Sequence, residues 1–192
     1  MSEAVRPVPI QVRTRGQRFD RGAIRELVRA CLDREKAPPG AGVGVVLAGD
    51  RVIARLNRDY RGKDRTTDVL SFAYDAPPRR TGEAARRSRL ARGARTAQAP
   101  DAAALGEETL LGEVFVSLPV CRAQAREQGV PLGVELVRLL VHGVLHILGH
   151  DHERPRDAAR MRPRERALRA WAAREGLGGT LTGANRTGRS AS

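Results

Sequence analysis

Hydrophobic positions along the chain switch between a period of two and a period near 3.6, and the switches predict the elements. Val8, Ile10 and Val12 alternate with other residues and predict a short strand over 8–14. After Asp20, a suitable N-cap, Ile24, Leu27, Val28, Cys31 and Leu32 recur at helical spacing and predict an amphipathic helix to about Glu35. Pro38-Pro39-Gly40 ends it. The apolar run Val43 to Leu47 predicts a buried strand, and Asp50 stands where it would cap a helix with apolar positions Ile53, Leu56 and Tyr60. Residues 68–74 and 111–118 predict two more strands, the second with Val114, Val116 and Leu118 on one face. Pro119 suits a helix start, and Gly129 its end. A long buried helix follows from about Leu132 to Leu148, and a last one from about Asp157 to Glu175 with Met161, Leu168 and Trp171 on one side.

Strands mixed with helices, without a strict βαβ repeat, predict an α+β (mixed α/β) fold. The expected form is a single compact domain over 1–177, a four-stranded mixed sheet packed with about five helices. Two stretches lack periodicity. Residues 76–107 are rich in Pro, Ala and Arg and read as a basic flexible insertion. It is either a tolerated loop or an electrostatic arm for RNA. Residues 178–192, rich in Gly, Thr and Ser, read as a disordered tail.

Charge adds a partner class. The 192 residues carry 35 Lys+Arg against 22 Asp+Glu, a formal net charge of +13, which points to a polyanion such as nucleic acid. Nearly all of it is arginine; the only lysines are Lys36 and Lys63. Aromatics are 3%, which argues against base stacking on aromatic platforms. Cys31 and Cys121 suggest neither a disulfide framework nor a CxxC metal site. No apolar signal region stands near the N-terminus, and the stretch around 136–149 is too short and interrupted to span a bilayer. A cytoplasmic placement without membrane contact is expected.

The candidate chemistry sits in one window. All four histidines fall in His142-Gly-Val-Leu-His146-Ile-Leu-Gly-His150-Asp-His152. Neutral imidazole is a common metal ligand. His142 and His146 are i and i+4, one turn apart on one helix face. Gly149 predicts a helix stop and a turn. On a continued helix His150 would lie about 12 Å along the axis from His142. Zinc–nitrogen bonds are only about 2.0–2.1 Å, so a turn makes His152 the easier third ligand, with His150 its competitor. The pattern H-x-x-x-H-x-x-G-x-x-H is shared with one class of zinc proteases. Their glutamate base beside the first histidine is here Gly143, which argues against a protease-type division of labour.

Two stretches together resemble the YbeY family of bacterial endoribonucleases, also described as ribosomal RNA maturation factors. They are HGVLHILGHDHE at 142–153 and LNRDYRGKDRTTDVLSF at 56–72; LGEVFVSLPVCRAQAREQG at 111–129 is similar to the linking segment. The resemblance implies a mixed α/β domain with one metal ion, usually zinc, held by His142, His146 and His152 at the end of the core helix. It implies cleavage of single-stranded RNA, with roles in rRNA processing, ribosome assembly and quality control. The family's arginine near the metal cleft matches Arg61, the expected catalytic and phosphate-binding residue, with Lys63 as a second phosphate contact. Partners implied are rRNA and a ribosomal subunit or ribosomal proteins; no nucleotide cofactor is expected. Thr66 replaces the family's usual proline, and the usually acidic segment after His152 reads Arg154-Pro155-Arg156.

Two other readings stay open on the sequence. In a non-catalytic assembly factor the ion would be structural, and His150 would close the site as a fourth ligand. A metallopeptidase would need a base from elsewhere. On the bare sequence an ion pair of Arg61 with Asp59 or Asp64 is favoured over a phosphate contact, and the resemblance reverses that order.

Overall fold

Strand β2 (Gly42–Ala48) is buried along its whole length, so both of its faces must be covered. The computed structural model describes residues 6–14, 17–74 and 110–182. The other strands are β1 (Ile10–Val12), β3 (Val69–Ala73) and β4 (Leu110–Ser117). Their order is β1-β2-β4-β3. β1 and β4 run parallel to β2, and β3 lies antiparallel at the β4 edge. This is the mixed four-stranded sheet expected from the sequence.

The helices are α1 (Arg21–Arg34), α2 (Asp50–Arg61), α3 (Leu118–Glu127), α4 (Leu132–Ile147), α5 (Pro155–Arg174) and α6 (Leu177–Thr180). Alternation along β2 divides the core. Val43, Val45 and Leu47 join the large cluster containing Ile24 and Leu27 of α1 and Leu140 and Val144 of α4. Val46 and Ala48 face the other way, onto Ile53 of α2 and Leu70 of β3. α4 meets the sheet, α1, α3, α5 and α6, which explains why it is apolar almost all round. Among the described residues no single helix is long and apolar enough to cross a membrane.

Three expectations are corrected. Gly49, not Asp50, is the N-cap of α2. The Asp50 carboxylate instead accepts from the Ser117 hydroxyl at 2.5 Å and from Thr66 at 3.3 Å, which ties α2 to the end of β4. Leu118 does not continue the β4 face; it opens α3, because Ser117 turns the chain and caps that helix through the Val120 amide. The expected tail is folded at its start. Residues 177–180 form α6, and Leu181 is fully buried, with its carbonyl accepting from the Asp20 amide at 3.1 Å. Leu177 and Leu181, both in the core cluster, dock this Gly/Thr-rich segment, and α6 is the helix beyond the expected five. The 76–107 stretch lies outside the described residues.

Both cysteines are buried and free, and burial pushes each thiol up to about 12.

Candidate metal centre

α4 packs against the sheet at Gly143. A Cβ built there would lie 2.5 Å from Val114 Cγ1 and 3.1 Å from Ser71 Oγ, so only glycine lets the helix approach this closely. His142 and His146, flanking that contact, are left half-buried at the helix surface. Four residues later the chain reverses. The His150 amide bonds the Leu145 carbonyl at 3.0 Å and the Gly149 amide bonds that of His146 at 3.0 Å, with Gly149 at φ +88°. This is a Schellman turn, which needs the left-handed conformation that glycine tolerates. The Asp151 carboxylate then accepts from the amides of His152 and Glu153 at 2.7 and 3.0 Å, fixing the loop that carries His152 back.

The three rings converge. His146 Nε2 lies 3.1 Å from His142 Nε2 and 3.0 Å from His152 Nδ1. One ligand atom from each of the three residues lies within 4.8 Å of the others, a spacing that fits one metal ion. His142 Nδ1 donates to Glu165 Oε1 of α5 at 2.9 Å. A carboxylate only accepts, so the proton sits on Nδ1 and the Nε2 lone pair faces the other two rings. Glu165 is held ionised: the bond from His142 keeps its carboxyl below the usual range, reinforced by the charges of Arg169 and Arg138. This donor set suits a divalent cation: three imidazole nitrogens, one oriented by a carboxylate.

His150, the competitor, points elsewhere. Its Nε2 meets Glu35 Oε2 at 3.0 Å, and Arg164 meets the same oxygen at 3.1 Å, clamping the turn to the end of α1. The metal-capable group among the described residues contains His142, His146 and His152 and no fourth member.

Replacing Glu165 with Gln keeps an acceptor but removes the charge. Metal affinity is expected to fall about 10–100-fold, measured by competition with a chromophoric chelator. An unchanged affinity would show that the charge of Glu165 contributes nothing to metal binding through His142.

His146 carries a pH signature. Burial, then the charges of His142 and His152, lowers its pKa from 6.5 to about 4, so it is neutral at neutral pH and available to a metal. As pH falls from 6.5 to about 4, the unfolded chain binds a proton at this ring that the folded chain refuses. Stability therefore declines through that window and levels off below it. Denaturant midpoints of metal-free protein should trace this decline, and His146→Gln should flatten it.

Arg61 and Lys63 lie on a different element from the trio. Arg61 is the last residue of α2, and Lys63 follows the Gly62 cap; both are exposed. No hydrogen bond or ion pair among the described residues joins either to the histidines. The acids expected to compete for Arg61 are taken by Arg58, which meets Asp59 at 3.6 Å and Asp64 at 3.4 Å. Arg61 itself has no ion pair among the described residues. The loop behind it is pinned by buried Asn57, whose amide donates to the Arg65 carbonyl at 2.7 Å.

A family model described as Endoribonuclease YbeY matches residues 10–171. The chain belongs to the YbeY family. Curated relatives named Endoribonuclease YbeY include one from Anaeromyxobacter sp. (strain Fw109-5), 41% identical over 139 residues. That match covers 72% of this chain and 57% of the relative. A second, from Anaeromyxobacter dehalogenans (strain 2CP-C), is 39% identical, covering 83% of this chain and 66% of the relative. A third, from Chloroflexus aurantiacus (strain ATCC 29366 / DSM 635 / J-10-fl), is 39% identical over 150 residues, 78% of this chain and 84% of the relative. This chain thus spans less than two thirds of the length of the two Anaeromyxobacter proteins. Its fold is similar to the solution structure of TM1509 from Thermotoga maritima, with a TM-score of 0.55 at 21% identity, covering 95% of this chain and all of that one.

Glu165, Glu35 and Asn57 were not singled out by sequence reasoning. Glu165 had a signal: Met161, Glu165 and Leu168 stand at i, i+4 and i+7, which puts an acid on the buried stripe of its helix. Asn57 likewise follows Ile53 at i+4. Glu35 had none, because its partners are 115 and 129 residues away.

Proposed function

We propose that this chain is a metal-dependent, single-strand-specific endoribonuclease that matures ribosomal RNA in the cytoplasm, with roles in ribosome assembly and quality control. The observation that carries this reading is the convergence of three imidazoles without a fourth protein donor among the described residues, in a YbeY-family chain. In this reading the ion is zinc, held by His142, His146 and His152. Bound there, it supplies Lewis acidity toward a phosphodiester.

The protein's own residues do the rest. Glu165 fixes the tautomer of His142. Burial keeps His146 neutral. Arg61, released from its neighbouring acids, grips a phosphate as negative charge develops, and Lys63 adds a second cation close by. Gly143 leaves no carboxylate beside the first histidine, which suits a substrate carrying its own 2′-hydroxyl. A cyclic-phosphate product would mark that hydroxyl as the nucleophile, and a linear one would mark water. Residues 76–107 are read as a basic insertion on this one domain, and ribosomal subunits or proteins as the partners that bring the rRNA.

The structural-zinc reading loses support because its fourth ligand, His150, is engaged by Glu35. A peptidase loses support because no glutamate fits at Gly143.

The test is incubation of zinc-loaded protein with single-stranded and duplex RNA. The wild type should cut only the single strand, and Arg61→Ala should cut it about 10²–10³-fold more slowly. No cutting under zinc, manganese or magnesium would end the proposal.

A further inference from the structure

α5 carries seven arginines and two acids. All seven arginines are exposed, whereas Glu165 and Asp157 are partly buried and Glu165 is bound to His142. Arg164 is engaged by Glu35 and by the Arg160 carbonyl. The side chains of the other six form no ion pair or hydrogen bond among the described residues, and three of them, Arg162, Arg166 and Arg169, line up beside Glu165. They stand at i, i+4 and i+7, so they share one flank of the helix over about 10 Å. Like charges at this spacing oppose one another and do not stabilise a helix.

Their position is tied to the centre. Arg162 and Arg169 are i−3 and i+4 from Glu165, its neighbours on the helix surface. Glu165 in turn holds His142 at 2.9 Å. The charge of Arg169 is also among those that keep the Glu165 carboxyl ionised, after the bond from His142.

We propose that the flank of α5 formed by Arg162, Arg166 and Arg169 is a docking track for the phosphate backbone of single-stranded RNA, running past the histidine centre. Naming RNA as the polyanion rests on the ribonuclease reading. The geometric argument for a polyanion does not: three unpaired, exposed guanidinium groups in line on one face match a chain of phosphates. Guanidinium contacts to phosphate hold a strand without regard to its sequence, which suits positioning of a substrate beside a cutting site.

The test measures binding, not cutting. Metal-free protein is titrated with fluorescein-labelled oligouridylate across a salt series, read by anisotropy. The triple variant Arg162→Gln, Arg166→Gln, Arg169→Gln removes the track. Glutamine is a good helix former, and circular dichroism checks the fold. Each lost phosphate contact lowers the slope of log K against log salt by about 0.7, so a decrease of about 2 is expected. A control variant, Arg18→Gln, Arg21→Gln, Arg126→Gln, removes the same charge from exposed positions on other elements and should change the slope much less. An unchanged slope in the α5 variant, or an equal loss in the control, overturns the track. So does α5-dependent binding that favours vesicles containing phosphatidylglycerol over the RNA. A wild type that binds RNA through α5 yet cuts none when metal-loaded would sink the ribonuclease reading and leave the track standing.

Discussion

On the proposed ribonuclease function, alanine at His146 is expected to abolish RNA cleavage and leave the fold intact. His146 is the hub of the trio, within 3.1 Å of a nitrogen on each of the other two rings. Removing it leaves two donors, one on α4 and one on the following loop. The Lewis acidity of a bound ion is worth several kcal/mol in the transition state, so its loss is expected to lower kcat/KM by about 10³-fold or more. The fold should survive because the neighbouring core does not depend on the ring: Leu145, Val144 and Ile147 are packed independently of it. Single-turnover cleavage and thermal melts of the same preparation check both halves. Unfolding of His146→Ala, with activity lost only in proportion to unfolded protein, would point to a structural staple. His150→Ala supplies the contrast: it should keep cleavage and lose only the clamp to Glu35.

Glutamate at Gly143 is expected to prevent stable folding, although it recreates the first half of the zinc-protease pattern. The added Cβ alone would stand 2.5 Å from Val114 Cγ1, on the central contact between α4 and the sheet. Overpacking of this kind costs about 1–3 kcal/mol. The carboxylate adds a buried charge without a partner, costing several kcal/mol more. Gly143→Ala isolates the first contribution and should lower the denaturation midpoint by an amount equivalent to about 1–3 kcal/mol. A wild-type midpoint for Gly143→Ala would mean that α4 can lift from β4 at no cost. The chemistry and the packing are thus linked at one residue: the close contact that seats the metal helix also forbids a protease-style base.

Local pattern is enough to specify the main elements and the His142/His146 pair, and to favour His152 over His150 as the third converging histidine. The i, i+4 pair is set by helix geometry within a single turn. The Gly149 stop and the Asp151 turn act over three or four residues, and they bring back His152. Strand alternation in 114–116 and the helical stripe in 24–32 are equally local. Such signals survive in a bare sequence because their interacting groups are neighbours along the chain.

Whatever depended on distant partners emerges only from packing. Glu165 reaches His142 across 23 residues, and Glu35 draws His150 out of contention across 115. Arg58 reaches Asp64 because of where the loop after α2 runs, and that course is held by Asn57 and Asp50. Leu181, alone in a polar stretch, was legible as core only once α1 and α4 had built a place for it. The choice among equally plausible partners is made by packing, and packing sums contributions from elements that no short window of sequence contains.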